Sequence, residues 1–193
     1  LRFKYNWHWF WDTGNGDIGN QGIHEMDIAR WGLADPGLPT SVVSTGGKYV
    51  YEDDQETPNT QIATFNYGDR EIMFEVRGIL TGNEGGLAAD RQGGNVIGDL
   101  FYGGDGWMAV AGGSFQVYKG EKVMDERMPG WEEPHFRNFL QACRSRNQKD
   151  LNADVEVGVT SACLVHIASI TNRLGTLLAF DPKNPDLPRQ PRG

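Results

Sequence analysis

The sequence predicts an α+β domain: an open, largely antiparallel sheet with helices packed on one face. Three observations carry that reading. Apolar residues recur at helical spacing towards both ends of the chain, and they alternate with polar residues through the middle. The alternating segments are joined by short turns that contain glycine. Strands linked in this way pair antiparallel, and helices flanking such a run pack on one side of the sheet.

A first helix is predicted over residues 19–33, with Ile23, Met26, Ala29 and Leu33 towards the core and Asp35-Pro36-Gly37 as its stop. Strands follow at 41–51, 60–67 and 71–79, the last two joined by a hairpin turn at Gly68-Asp69. In the third strand Ile72, Phe74 and Val76 face one side, while Glu71, Met73, Glu75 and Arg77 face the other. Residues 82–95 form a Gly-rich loop of a length often used for lids. Further strands are expected at 96–102, 107–111 and 114–119, with a turn at Gly120-Glu121. A second helix begins at Pro134 and turns Phe136, Phe139, Leu140 and Cys143 inward. A third covers 153–174, with Asn152 as N-cap, Asp154 and Glu156 in the first turn, and Gly175 at the exit. Its stripe of Val155, Val159, Cys163, Ile170 and Leu174 is expected to be deeply packed, whereas the tail from Pro182 wraps over the surface or frays.

At 193 residues the chain suits one domain over its whole length, with no linker or repeat. A net charge of −8 argues against a nucleic-acid partner, which needs a basic stripe. No apolar run suggests a membrane span and no signal segment is seen, and the start at Leu1 reads as that of a fragment. The compartment stays open between cytoplasm and bacterial periplasm. Cys143 and Cys163 read as structural thiols, and no metal site is expected. The acidic run Glu52-Asp53-Asp54-Gln55-Glu56 lacks the spacing and central glycine of a calcium loop.

Gly14-Asn15-Gly16-Asp17-Ile18-Gly19 matches the dinucleotide fingerprint G-x-G-x-x-G. That turn belongs after a buried aliphatic strand, and Trp7-His8-Trp9-Phe10-Trp11-Asp12 is not one. The glycines are therefore assigned to a shaped turn, and no cofactor is expected in this chain. Beyond them, Asn20, His24, Asp27 and Trp31 fall on one helical stripe. Two readings of that stripe stay open. His24 and Asp27 form an acid–base pair, or the histidine belongs to a surface hydrogen-bond network. Trp7, Trp9 and Trp11 share one face if extended and can stack on sugar C–H bonds or pack on the sheet. His135, after a helix-starting proline, is a further candidate for the pocket, and His166 reads as a hydrogen-bonded core histidine.

The segment 7–33 resembles the start of the C-terminal domain in the glucose–fructose oxidoreductase/inositol dehydrogenase (Gfo/Idh/MocA) family. Later landmarks follow in order: Gly46-Gly47-Lys48-Tyr49, Glu56-Thr57-Pro58-Asn59-Thr60, Phe101-Tyr102-Gly103-Gly104-Asp105-Gly106, His135-Phe136-Arg137-Asn138-Phe139 and Ile170-Thr171-Asn172-Arg173-Leu174-Gly175. The resemblance implies the substrate-binding and catalytic domain of an NAD(P)-dependent oxidoreductase acting on a sugar, cyclitol or related polyol. His24 stands at the family's catalytic histidine and Asp27 at the aspartate after it. Asn20 stands where an aspartate is usual, and an amide cannot act as a base. Trp7, Asn20, His24 and His135 are the expected substrate contacts. NAD or NADP is implied for the full-length protein, held by an N-terminal Rossmann domain that this chain lacks. The family's Glu-Lys-Pro lysine is absent too, since Val123 follows Glu121-Lys122. The isolated chain is accordingly expected to be inactive. A homo-oligomer through the open sheet face is also implied. Two alternatives remain: a domain of an NAD-dependent glycosidase of the same family, or a non-enzymatic carbohydrate-binding or oligomerisation module.

Overall fold

The structure, a computed structural model, describes residues 4–34, 36–78, 96–127, 135–181 and 184–189. A 3₁₀ turn (Asn6–Trp9) leads into α1 (Gly22–Gly32), then β1 (Ser41–Gly47), β2 (Thr60–Asn66) and β3 (Glu71–Arg77). Four short strands follow, β4 (Asp99–Tyr102), β5 (Trp107–Ala111), β6 (Ser114–Lys119) and β7 (Lys122–Arg127). The chain closes with α2 (His135–Ser145), α3 (Val155–Leu174), β8 (Leu178–Asp181) and β9 (Asn184–Arg189). The fold is α+β and the strand pairing is antiparallel, as the short turns predict. The strands divide between two sheets, one of order β3-β2-β1-β8-β9 and one of order β4-β5-β6-β7, where the sequence reading draws one. Alternation identifies a strand but carries no information on which sheet takes it. Two compact units result, Leu1–Ile79 with Thr160–Gly193, and Leu80–Val159.

In the first unit the period-2 pattern sets which face is buried. Val42, Ala63, Phe65, Ile72 and Phe74 point inward, and Met26 and Ala29 of α1 join Leu164, Val165 and Ala168 of α3 in the same core. The register places Val42 opposite Phe65 and Phe65 opposite Ile72, so three strands present one apolar surface. Gln61, 2 % exposed, ties helix to sheet by donating to Ser44 Oγ at 2.9 Å and to the Ala168 carbonyl at 3.2 Å. On the opposite face Val43, Ile62 and Met73 are exposed beside Glu71 and Glu75. The predicted hairpin forms at Gly68, whose φ of 93° suits a residue without Cβ, and Asn66 Oδ1 accepts from its amide at 2.9 Å.

Several local expectations need correction. The helix predicted from residue 19 starts at Gly22, because residues 17–21 form turns. Asp154, not Asn152, caps α3: its Oδ1 accepts from the amides of Glu156 at 2.9 Å and Val157 at 3.2 Å. Gly175 does end that helix, at φ 63°. The stripe predicted to be deeply packed on α3 is largely outside, with Val155, Val159, Ile170 and Leu174 exposed and Ser161, Leu164, Val165, Ala168, Ser169 and Thr171 buried. On α2 the residues assigned inward, Phe136, Phe139, Leu140 and Cys143, are exposed, and only Ala142 is buried. Periodicity finds an apolar face, but it does not supply a covering surface. The proline-rich tail contributes β9, an edge strand, where proline's missing N–H is tolerated. A seventh strand, β7, follows the turn at Gly120. At 20 residues and a mean hydropathy of 1.2, α3 reaches the length and apolarity of a membrane span, which the sequence reading did not credit. The loop at 82–95 and Pro134 lie outside the described residues.

Candidate functional site

The turn before α1 is built by close backbone contacts. The 3₁₀ turn Asn6–Trp9, not a strand, precedes the three glycines. The Gly16 amide donates to the His8 carbonyl at 2.7 Å, and Gly16 has φ 77°. A Cβ on Gly14 would lie 2.4 Å from His8 Cα, and one on Gly16 would lie 2.6 Å from Thr57 Oγ1. The amides of Glu56 and Thr57 donate to the Trp9 carbonyl, and the Trp11 amide donates to Glu56 Oε2 at 3.0 Å. The Glu56–Asn59 loop therefore braces the tryptophan segment, and the glycines give it room. His8 and Thr57 pack directly against Gly14 and Gly16, which is why these two positions lack a Cβ.

That bracing sets the entry to α1. His24 and Trp31 are exposed on α1, Trp31 at 61 %, and Asp27 is partly buried, whereas Asn20 is exposed in the turn before the helix, so the predicted four-residue stripe does not form on one helix face. Ile23 and Met26 pack into the core instead. No hydrogen bond to the His24 ring occurs among the described residues, and the exposed imidazole edge is open to a ligand. The Asn20 carboxamide can bond a hydroxyl but cannot move a proton.

Asp27 is engaged with Ser161 and Arg30. Its Oδ1 accepts from Ser161 Oγ and stands 3.8 Å from Arg30 Nη1, and the same Ser161 Oγ accepts from Arg30 Nη1 at 2.6 Å. Arg30 is 1 % exposed, so this network joins α1 to α3 inside the first unit. Sequence reasoning missed it, although a signal existed: Arg30 follows Asp27 by three residues and core-facing Met26 by four.

A second missed residue is His8. It is 4 % exposed, its ring lies 3.9 Å from that of Trp9, and its Nε2 is 3.5 Å from the Asn20 carboxamide nitrogen. Nearby Asp17 Oδ1 accepts from Trp9 Nε1 at 3.3 Å. Burial holds the Asp17 carboxyl above the usual carboxylate range, against the Trp9 hydrogen bond and the His8 charge, which both lower it. Reading 7–12 as extended hid this cluster, because the 3₁₀ turn sends Trp9 to Asp17 while Trp7 and Trp11 line a cavity.

The remaining candidates scatter. His166, predicted for the core, is exposed, with Nδ1 3.5 Å from Asn15 Nδ2. His135 is exposed at the first residue of α2, in the second unit. Lys48 pairs with Asp53 at 2.8 Å in the acidic run. Among the described residues no group of three or more His, Cys, Asp or Glu could hold a metal ion.

No family model matches the chain, and no curated protein matches it. Solved structures do. A candidate oxidoreductase from Thermotoga maritima superposes with a TM-score of 0.69 at 15 % identity, over 93 % of this chain and 52 % of that one. The aldose-aldose oxidoreductase from Caulobacter crescentus, solved with glycerol, gives 0.65 at 10 % identity, over 90 % and 50 %. The WlbA dehydrogenase from Bordetella pertussis, in complex with NADH and UDP-GlcNAcA, gives 0.55 at 12 % identity, over 89 % and 47 %. The likeness is one of fold. The chain spans about half the length of these structures.

Proposed function

We infer that this chain is the substrate-side half of a nicotinamide-dependent oxidoreductase of the Gfo/Idh/MocA type, acting on a sugar, cyclitol or related polyol. The observation that carries the reading is an exposed imidazole, with no hydrogen bond among the described residues, on the first helix of a fold shared with half of several oxidoreductases. The glycine turn follows a 3₁₀ turn and not a buried strand, and the chain spans about half of each neighbour's length. The cofactor is therefore assigned to the remainder of a longer protein, and the isolated chain is expected to be inactive. Within the chain, His24 would accept the proton of a substrate hydroxyl as that carbon is oxidised, and return it in the reverse direction. Asn20, in the turn before α1, would hold a neighbouring hydroxyl. The exposed apolar residues Phe136, Phe139 and Leu140 of α2 support a surface covered by another part of the protein.

The test is kinetic. The longer protein is assayed with both nicotinamides against a panel of sugars and polyols. His24→Ala should lower kcat by a factor on the order of 10²–10⁴, the range for a lost general acid–base, without changing the melting temperature. Turnover unaffected by that substitution would remove His24 from the chemistry.

A further inference from the structure

The first unit contains a cavity of about 420 Å³ between the tryptophan segment and one side of α3. Neither Asn20 nor His24 lines it. We propose that it is a binding site for a sugar ring bearing a carboxylate, a hexuronate or its equivalent.

Its walls come from two elements that the fold brings together. Trp7 and Trp11 supply indole surface, and the α3 spacing 166, 169, 173 puts His166, Ser169 and Arg173 on one helical stripe facing them. Asn15 completes the polar side, its carboxamide 3.5 Å from the His166 ring. The chemistry sorts by wall. Indole faces suit the C–H surface of a pyranose, and a carboxamide beside an imidazole offers donors and acceptors to ring hydroxyls.

Two observations point to an occupant. The Arg173 guanidinium carbon lies 4.6 Å from the centroid of the Trp11 ring, and no carboxylate pairs with it among the described residues. Stacking engages the face of a guanidinium and leaves its N–H edge free to fork onto a carboxylate. Ser169, which lines the cavity, is 5 % exposed, and its hydroxyl has no hydrogen-bond partner among the described residues. A buried hydroxyl left unmatched is costly, and rotation about its χ1 would let it meet a ligand oxygen. A neutral sugar would leave the cation unmatched, and a bare anion would leave the indoles unused. A ring carrying both hydroxyls and a carboxylate uses every wall.

The proposal is independent of the oxidoreductase reading, because binding is measured on the 193-residue chain without cofactor or turnover. The chain is titrated by calorimetry with D-glucuronate, D-glucose, acetate and inorganic phosphate. Glucuronate should bind in the millimolar range and roughly tenfold or more tighter than glucose or acetate, the difference expected for a charge-assisted fork. Arg173→Gln should reduce glucuronate binding to the glucose level, and Arg173→Lys, which keeps the charge but loses the fork, should fall between. Ser169→Ala should weaken glucuronate binding while leaving the melting temperature unchanged or raised. Equal binding of glucose and glucuronate, phosphate or acetate binding as tight as glucuronate, absence of any binding, or glucuronate binding that survives both Arg173 substitutions would each overturn it.

Discussion

Asp27→Asn is the substitution that best tests how the first unit is held together. The change preserves an oxygen for the Ser161 hydroxyl and removes only the charge, which lies 3.8 Å from an Arg30 that is 1 % exposed. Losing one partner of a fully buried ion pair costs about 3–5 kcal/mol. Asp27 keeps 31 % of its side-chain exposure, so solvent screens part of that attraction. With that discount we expect a loss of about 2 kcal/mol, or a drop in Tm of about 4–8 °C. Ser161→Ala removes the hydroxyl that bridges both charged groups and should cost about 1.5–3 kcal/mol. In a double-mutant cycle the two should couple by at least about 0.5 kcal/mol, because they share one network. Urea unfolding followed by tryptophan emission and far-UV circular dichroism measures all four corners. A loss below about 0.5 kcal/mol for Asp27→Asn, or strict additivity, would show that the network does not join α1 to α3 energetically.

Asp17 predicts a pH dependence. Its folded carboxyl titrates above the ordinary aspartate range, so between the unfolded pKa and the raised folded pKa the native state binds more protons than the unfolded state. Stability from this group is therefore lost as pH rises through that window, and Asp17→Asn should remove the slope and stabilise the protein at pH 7; urea midpoints across the range decide it. Gly16→Ala should destabilise by about 2 kcal/mol or more, from a left-handed backbone and a Cβ pressed on Thr57, as read by thermal melting. If the exposed face carrying Val43, Ile62 and Met73 joins two copies, light scattering should show concentration-dependent association that Met73→Lys abolishes. A monomer at every concentration would end that proposal.

Much of the secondary structure was legible in the residues themselves. Alternation in 71–77 assigned Ile72 and Phe74 to the core and Glu71, Met73 and Glu75 to the outside, because a strand turns its side chains with a period of two. Gly68 and Gly175 marked a turn and a helix exit, because their positive φ favours a residue without Cβ. The helix carrying His24 and Asp27 was equally readable from its spacing, but its start was not, and Asn20 falls in the turn before it. Partners were not. Asp27 bonds Ser161, 134 residues away, and Asn15 meets His166 across 151 residues, pairings that no local period encodes. Trp9 reaches Asp17 only because residues 6–9 wind into a 3₁₀ turn. The apolar stripe of α2 shows the same limit from the other side, since its pattern is correct while Phe136 remains 80 % exposed. Local sequence determines which way a side chain points from its own element, because backbone geometry repeats over a few residues. What that side chain meets depends on how distant elements close on one another, and only the tertiary structure decides it.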